Sequence, residues 1–369
     1  MFYRSKSLEK WVYNHVERVH LIKLLVLVVS AFLAARLLEI PHGSWISGTC
    51  LVLSRPVPQF GGILHRAVQR IMGTFMGAAL SLLTMFVTSE NVWVHTIALG
   101  VAFPLFALWV FPKDKYAYQV AILTMLIVMS IGTDLSQDAA MWRAINIGIG
   151  GMLSLSIIFV FPIQAKVELR YLLADCLAKI NQLYLKTSSS KASERSELEG
   201  MNTDIITSIR KQRKIFPYLV KESRFFKKNE QRLDDIAISL RKMSGILELL
   251  GSSLFTSERG NQVISQLYSI KEKEVLLSER LDEISQLLER NEVKPLPDLR
   301  LRLRSSKQEL YQLNHQGADE NAPLSPFSYI WLHHKFGEEI FKLEGMILEL
   351  FEAKAKNSKG LTETKQHNN

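Results

Sequence analysis

The chain has 369 residues, 47% of them hydrophobic and 22% charged, with a formal net charge of +9. That length is enough for two domains, and neither half holds the concentrated basic excess of a dedicated nucleic-acid binder. Two cysteines, Cys50 and Cys176, are too few for a disulfide framework or a metal motif.

A mean hydropathy of +0.07 hides a sharp division. Up to Pro162 there are 12 Lys/Arg and 7 Asp/Glu, and from Ile163 onward 33 and 29. The first part reads as lipid-embedded and the second as water-soluble. The predicted fold class is all-α. A six-helix transmembrane domain (21–162) follows a basic arm (1–20), a helical domain occupies 163–355, and a polar, disordered tail ends the chain (356–369). The arm is polar and the apolar run after it lacks a small-residue cleavage site, so it reads as an uncleaved first membrane helix rather than a signal peptide.

A spanning helix needs about 20 mostly apolar residues. Six candidates follow in order: Leu21–Ile40, Gly43–Leu53, Val68–Val87, Val92–Phe111, Tyr116–Gly132 and Trp142–Phe161. The second is short and polar, with Ser47, Thr49 and Ser54, and Arg55-Pro56-Val57-Pro58 stops it. Basic residues set the orientation. Arg4, Lys6, Lys10 and Arg18, then Arg55 and Arg66, then Lys113 and Lys115, then Lys166 and Arg170 all fall on one side of six helices. Glu39, Glu90, Asp134 and Asp138 fall on the other. Both termini are therefore expected in the cytoplasm. Arg36 and Arg143 are exceptions on the outer side. Arg36 has a simple explanation in pairing with Glu39 about one turn away.

The first three helices and the last three read as copies. Pro41-His42-Gly43-Ser44-Trp45 opens the second helix, and Pro112-Lys113-Asp114-Lys115-Tyr116 opens the fifth, 71 residues later. Arg66-Ala67 and Arg143-Ala144 stand 77 apart, and Gln69, Gly73 and Gly77 then match Asn146, Gly150 and Ser154. The extra six residues fall in the loop Thr133–Met141. Copies with an odd number of helices are inverted in the membrane, a transporter plan with sites at the repeat interface. The alternative is coincidence between two Gly-rich apolar segments. Arg66, Arg70, Gly73 and Gly77 share one helix face by spacing. Small residues at this spacing allow close helix approach, and Gly73, Thr74, Gly77, Gly148, Gly150 and Ser154 are the candidates. An arginine at the mouth of each face can attract an anion. For Arg66 and Arg70 the competing reading is snorkelling to lipid phosphate. The substrate-path candidates are Arg36, Arg66, Arg70, Arg143 and Asn146.

The pattern Arg66-Ala67-x-x-Arg70-x-x-Gly73-Thr74-x-x-Gly77 resembles the third-helix signature of the fusaric-acid-resistance-like family, which includes aromatic acid exporters. Trp142-Arg143-Ala144 through Gly150 is similar to its second-repeat counterpart. Ser325-Pro326-Phe327-Ser328-Tyr329-Ile330-Trp331-Leu332 resembles the closing helix of a bacterial inner-membrane member. Longer relatives carry two such membrane units, so one unit here implies at least a homodimer. The distantly related plant aluminium-activated malate channels also pass organic anions. The resemblance thus implies an inner-membrane exporter of carboxylate-bearing small molecules, without naming the compound.

The remainder reads as helices over Lys166–Lys186, Ser193–Arg213, Gln231–Leu250, Ser257–Glu292, Asp298–Asn314 and Phe327–Ala355. Along the longest, Val263, Leu267, Ile270, Leu277, Leu281, Ile284 and Leu288 alternate three and four apart, with Glu274 as the one fault. That coiled-coil-like spacing fits an intramolecular bundle or an intermolecular seam. Basic clusters at Arg210-Lys211-x-Arg213-Lys214, Arg224-Phe225-Phe226-Lys227-Lys228 and Arg300/Arg302/Arg304 read first as solvated faces. Facing a bilayer, they can bind anionic headgroups. No nucleic-acid module surrounds them.

Catalysis finds no P-loop, nucleophile elbow or zinc-protease signature, so no enzyme, cofactor or metal is expected. Gly148-Ile149-Gly150-Gly151 lies inside a membrane helix and is no dinucleotide fingerprint. His333 and His334 point about 100° apart on a helix and read as surface residues. No acidic residue sits clearly in mid-membrane, which weakens a proton relay. Three functions follow: an organic-anion transporter, a passive organic-anion channel, and a non-transporting scaffold presenting the helical domain.

Overall fold

In the computed structural model, the described residues are 6–54, 60–88, 92–97, 100–101, 103–110, 114–130, 137–160, 163–188, 195–254, 268–292, 294–297 and 326–366. All the regular structure among them is helical. The chain divides into two compact units between Ala165 and Lys166.

The first unit contains α1 (Lys6–Asn14), α2 (Val16–Leu37), α3 (Ser44–Ser54), α4 (Phe60–Thr88), α5 (Val92–Ile97), α6 (Phe103–Val110), α7 (Lys115–Ser130) and α8 (Gln137–Val160). Part of the basic arm is thus helical. On α1, Val12 and Tyr13 are buried while Leu8 and Trp11 are exposed. The α2 sequence has neither Gly nor Pro. It stops where Glu39 takes a left-handed φ of 49° and the Ile40 amide reaches back to the Ala35 carbonyl.

Six spans of similar length are not what these elements display. Among the described residues, α2 is the one helix long and apolar enough to cross a membrane by those criteria. At 11 residues, α3 extends about 17 Å, roughly half a hydrocarbon core. Pro41 and Gly43 bound it on one side and the Arg55-Pro56 step on the other. The fourth candidate is divided into α5 and α6, with a π-helical turn at 100–101 between them. By contrast, α4 is 29 residues long and α8 is 24.

The most extensive pairings in this unit are α4 along α7 and α3 along α8, with α2 against α3. Leu27, Ala31 and Ala35 of α2 meet Ile46 and Cys50 of α3 in one buried cluster. The alanines let the two backbones approach. Exposed Leu21, Ile22, Leu25, Val29, Phe32 and Leu33 cover the rest of α2. So large an apolar face on one helix suits lipid.

The second unit is built from α9 (Ala165–Ser188), α10 (Arg195–Glu222), α11 (Arg224–Lys228), α12 (Glu230–Leu254), α13 (Tyr268–Arg290) and α14 (Pro326–Gln366). The last helix runs ten residues beyond Lys356, where composition predicts a disordered tail. The helix expected at Asp298–Asn314, the cluster Arg300/Arg302/Arg304, and Val263 and Leu267 lie outside the described residues. Ile270, Leu277, Leu281, Ile284 and Leu288 are all buried within the single chain, so this part of the heptad seam belongs to the unit's own core. Both cysteines are free and buried, and burial pushes the Cys176 thiol up to about 12.

His333 corrects its expectation. It is 4% exposed, whereas His334 faces solvent beside Glu338 at 3.2 Å. His333 Nδ1 lies 3.2 Å from the Tyr184 hydroxyl, and Tyr184 stacks on Phe336 at 4.7 Å. Glu274, the fault in the heptad, accepts a 3.4 Å hydrogen bond from Tyr329 and lies 3.8 Å from His333 Nε2. That distance would suit an ion pair, but burial acts on both partners in the neutral direction. It raises the Glu274 carboxyl to about 7 and lowers His333 to about 3. Burial also lifts both tyrosine hydroxyls above their ordinary range. Below pH 7 the contact is therefore mainly one between neutral groups, at the junction of α9, α13 and α14. A true buried ion pair joins α13 to α14 at Arg280 and Glu344, 2.9 Å apart.

Candidate functional site

The membrane unit brings its polar residues together where the two halves of the unit cross. On α4, Gly73 faces α7 so closely that a Cβ built there would lie 2.5 Å from the Ala117 carbonyl oxygen and 3.0 Å from Val120 Cβ. One turn on, Gly77 meets Ala121 and Thr124 in the same way. On α8, a Cβ at Gly150 would lie 2.6 Å from the Ile46 carbonyl oxygen and 2.8 Å from Thr49 Cβ of α3. Ala117 and Val120 follow Ile46 and Thr49 by 71 residues, and Gly150 follows Gly73 by 77. These are the two offsets found between the halves of the sequence. Ser154, aligned with Gly77, is fully buried and its hydroxyl donates to the Gly150 carbonyl at 2.8 Å.

The aligned pair Gln69 and Asn146 behaves alike as well. Gln69 Nε2 donates to Asp114 at 2.6 Å just before α7 begins. Asn146 Nδ2 donates to the Pro41 carbonyl at 2.8 Å just before α3 begins. Each ties its own helix to the opening turn of a helix from the other half. Gly148 departs from its expectation, since a Cβ there meets nothing within 4 Å among the described residues. Two residues from Gly150 is about 200° around the helix, which turns Gly148 away from the close approach.

The close packing of α3, α4 and α7 encloses Arg70, which is 7% exposed. Its two Nη groups donate to the Tyr116 hydroxyl at 3.3 Å and to Thr49 Oγ1 at 3.4 Å. Its Nε has no hydrogen-bond partner, and Thr74 Oγ1, one turn along the same helix, has none either. No carboxylate pairs with Arg70 among the described residues. The nearby Asp114 is engaged by Gln69 and lies 3.7 Å from His65. Arg66 is half-buried and stands over the Tyr116 ring at 5.6 Å from its centroid. The two arginines therefore converge on one tyrosine, Arg66 on its ring and Arg70 on its hydroxyl. Arg70 is turned inward, not snorkelled to a lipid surface.

The other candidates are dispersed. Arg36 is exposed at the end of α2 and makes no ion pair with Glu39, so that explanation of it falls. The Arg143 side chain lies outside the described residues, although its backbone belongs to α8. Asn146 is fully buried, with Oδ1 unpartnered. Thr49, Tyr116 and Asp114 were not picked out from the sequence. For Asp114 and Tyr116 the signal was the matched pair of helix openings, 41–45 and 112–116, since Tyr116 aligns with Trp45 and both follow a proline turn.

Residues 29–157 match the fusaric acid resistance protein-like family. The family resemblance read from the Arg66–Gly77 pattern is met over the region that holds that pattern. The inner membrane protein YeeA of Escherichia coli (strain K12) is 23% identical over 338 residues, 91% of this chain and 95% of that protein. The similarity therefore extends through the helical unit as well as the membrane unit. The exposed apolar surface of α2 fits both similarities, one to a resistance-protein family and one to an inner membrane protein.

Proposed function

We propose that the membrane unit transports small organic anions, with Arg70 as the residue that receives the substrate's carboxylate. The observation that carries this reading is the inward, unpaired charge of Arg70 among neutral hydroxyls. Removing a guanidinium from water without a counter-charge costs several kcal/mol, and such residues in membrane helices mark substrate and ion routes. Two hydroxyl partners satisfy part of its fork. A carboxylate would complete it with charge-assisted bonds and neutralise it. Thr74 Oγ1 is a further unused donor or acceptor in the same layer. Arg66 over the Tyr116 ring supplies positive potential beside the site and leaves an aromatic surface for an aromatic acid.

The equivalent contacts of Gly73 and Gly150 support two inverted three-helix copies with Arg70 at their interface, and the basic residues of the connections favour both termini on the cytoplasmic side. Export is the direction favoured by the family's description as resistance-like. Resemblance to longer relatives with two such units favours assembly of this membrane unit as at least a homodimer. The non-transporting scaffold would need a packed apolar interior between α3, α4 and α7, and a buried arginine argues against it.

A substrate-sensitivity screen tests the reading. A deletion strain becomes sensitive to one or more aromatic carboxylic acids, and the wild-type gene restores growth. Arg70→Gln does not restore it although the protein still reaches the membrane. Full rescue by Arg70→Gln removes this residue from the mechanism.

A further inference from the structure

The helical unit carries a second charged feature that the membrane site does not use. Between residues 210 and 228 stand Arg210, Lys211, Arg213, Lys214, Lys221, Arg224, Lys227 and Lys228, with Glu222 as the one carboxylate. All eight cationic side chains are exposed. On α10, spacing puts Arg210, Arg213, Lys214 and Lys221 on one arc, with Lys211 at its border. The opposite arc is fixed in the core by Gln212, Ile215 and Leu219, and Gln212 Nε2 donates to the Leu172 carbonyl at 3.2 Å. After Pro217 and the extended Ser223, α11 adds Arg224, Lys227 and Lys228 immediately beyond the end of α10. The result is a single basic end of the unit.

None of the eight side chains makes an ion pair or side-chain hydrogen bond with a described residue. Elsewhere in the unit, Lys179, Lys186, Arg195, Arg232, Lys242 and Lys335 each face a carboxylate. Favourable interaction with helix C-termini accounts for Lys221, Lys227 and Lys228 in their last turns. It does not reach Arg210, Lys211, Arg213 or Lys214, two or more turns earlier. Arg210 with Lys214, Lys211 with Lys214, and Arg224 with Lys228 are like-charged neighbours on a helix surface, an arrangement that destabilises a helix in isolation. A negatively charged surface would turn that repulsion into attraction.

We propose that this basic end of α10 and α11 docks on the anionic phospholipid headgroups of the membrane that the chain itself occupies. The tether argues for this occupant. Four residues separate the end of α8 from the start of α9, so the unit is held at high effective concentration beside a bilayer. Each Lys or Arg near an anionic membrane adds about a fivefold preference, and the attraction decays within a Debye length. The proposal is independent of whether Arg70 binds a carboxylate.

Lys221→Cys supplies a labelling site on the patch, since both native cysteines are buried. The full-length protein, carrying a fluorophore there, is placed in nanodiscs that contain headgroup spin-labelled lipid as quencher. The discs are phosphatidylcholine alone or with about 30 mol % phosphatidylglycerol. Quenching is expected to be stronger in the anionic discs and to fall to the neutral level at about 0.5 M salt. Replacing Lys211, Lys214, Lys227 and Lys228 by Gln abolishes the difference, whereas replacing them by Arg preserves it. Thermal melts identify any variant that is misfolded, and the Arg variant carries the test in that case. Equal quenching in both discs overturns the proposal, as does a difference that survives the four Gln substitutions or the added salt. Salt-sensitive binding of duplex RNA to neutral discs, with no lipid effect, assigns the patch to nucleic acid instead.

Discussion

Each unit holds a polar residue where an apolar one would pack more easily. Arg70 is enclosed by α3, α4 and α7 with only hydroxyl partners. Charge-assisted bonds are worth about 1.5–3 kcal/mol each, so on the proposed role losing the guanidinium is expected to weaken carboxylate binding roughly ten- to a hundredfold. Arg70→Lys keeps the charge and loses the fork, and is expected to fall between wild type and Arg70→Gln in a titration with benzoate. In the helical unit the corresponding residue is Glu274. Its carboxyl is raised to about 7 in the fold against 4.5 as the ordinary value, because burial beside His333, Tyr184 and Tyr329 penalises the charge. The Tyr329 hydrogen bond, and then Lys271 of its own helix, act in the opposite sense. Glu274 therefore contributes stability below its ordinary range that is lost as pH rises towards 7 and above. His333, lowered to about 3, contributes stability above 6.5 that is lost as pH falls. Glu274→Gln should remove the first loss, worth on the order of 2 kcal/mol. Thermal melts at pH 5.5 and pH 8 check this: the variant's melting temperature drops less than the wild type's between the two. An equal or larger drop contradicts the neutral-pair account.

At the scale of elements, the packing of the first unit depends on how closely backbones cross. Gly73 on α7 and Gly150 on α3 leave no room for a Cβ, because the opposing atoms are backbone carbonyls that cannot rotate aside. Gly73→Ala and Gly150→Ala are each expected to destabilise the membrane unit by about 1–3 kcal/mol through separation of the helices. Gly148→Ala, facing open space, should be neutral or stabilising by up to about 1 kcal/mol. Unfolding in detergent distinguishes them, and equal behaviour of the three variants would remove close packing as the reason for the glycines. The glycine spacing on α4 and α8 was legible in the sequence because it repeats with the helical period. Gly148 was misplaced because adjacency in a Gly-rich run says nothing about the face. The extent of α3 was legible from its flanking prolines, and the division between α5 and α6 was open to the same reading, since Gly100 falls between them and Pro104 in the first turn of α6. His333 was missed for a related reason. A pair of neighbouring histidines does not say which one turns inward. Tyr329, Leu332, Phe336 and Ile340 do say so, because they set the core phase of α14 and place His333 within it.

At the scale of the whole chain, the change in charge density after Pro162 is readable from the sequence alone, and the chain divides into its two compact units after Ala165. The partners of Arg70 were not readable. Thr49 and Tyr116 lie 21 residues before it and 46 after it, and packing of α4 against helices of both halves brings them together. Only the matched residues 71 and 77 positions apart in the sequence pointed towards that arrangement. The central claim is that this arrangement conducts a carboxylate through the membrane unit by way of Arg70. The direct measurement is uptake of labelled benzoate and related aromatic acids into liposomes holding the purified full-length protein. Uptake should exceed that of protein-free liposomes, compete with other aromatic carboxylates but not with their neutral amides, and fall at least about tenfold in Arg70→Gln. Uptake by Arg70→Gln equal to that of the wild type, or equal inhibition by acid and amide, would contradict it.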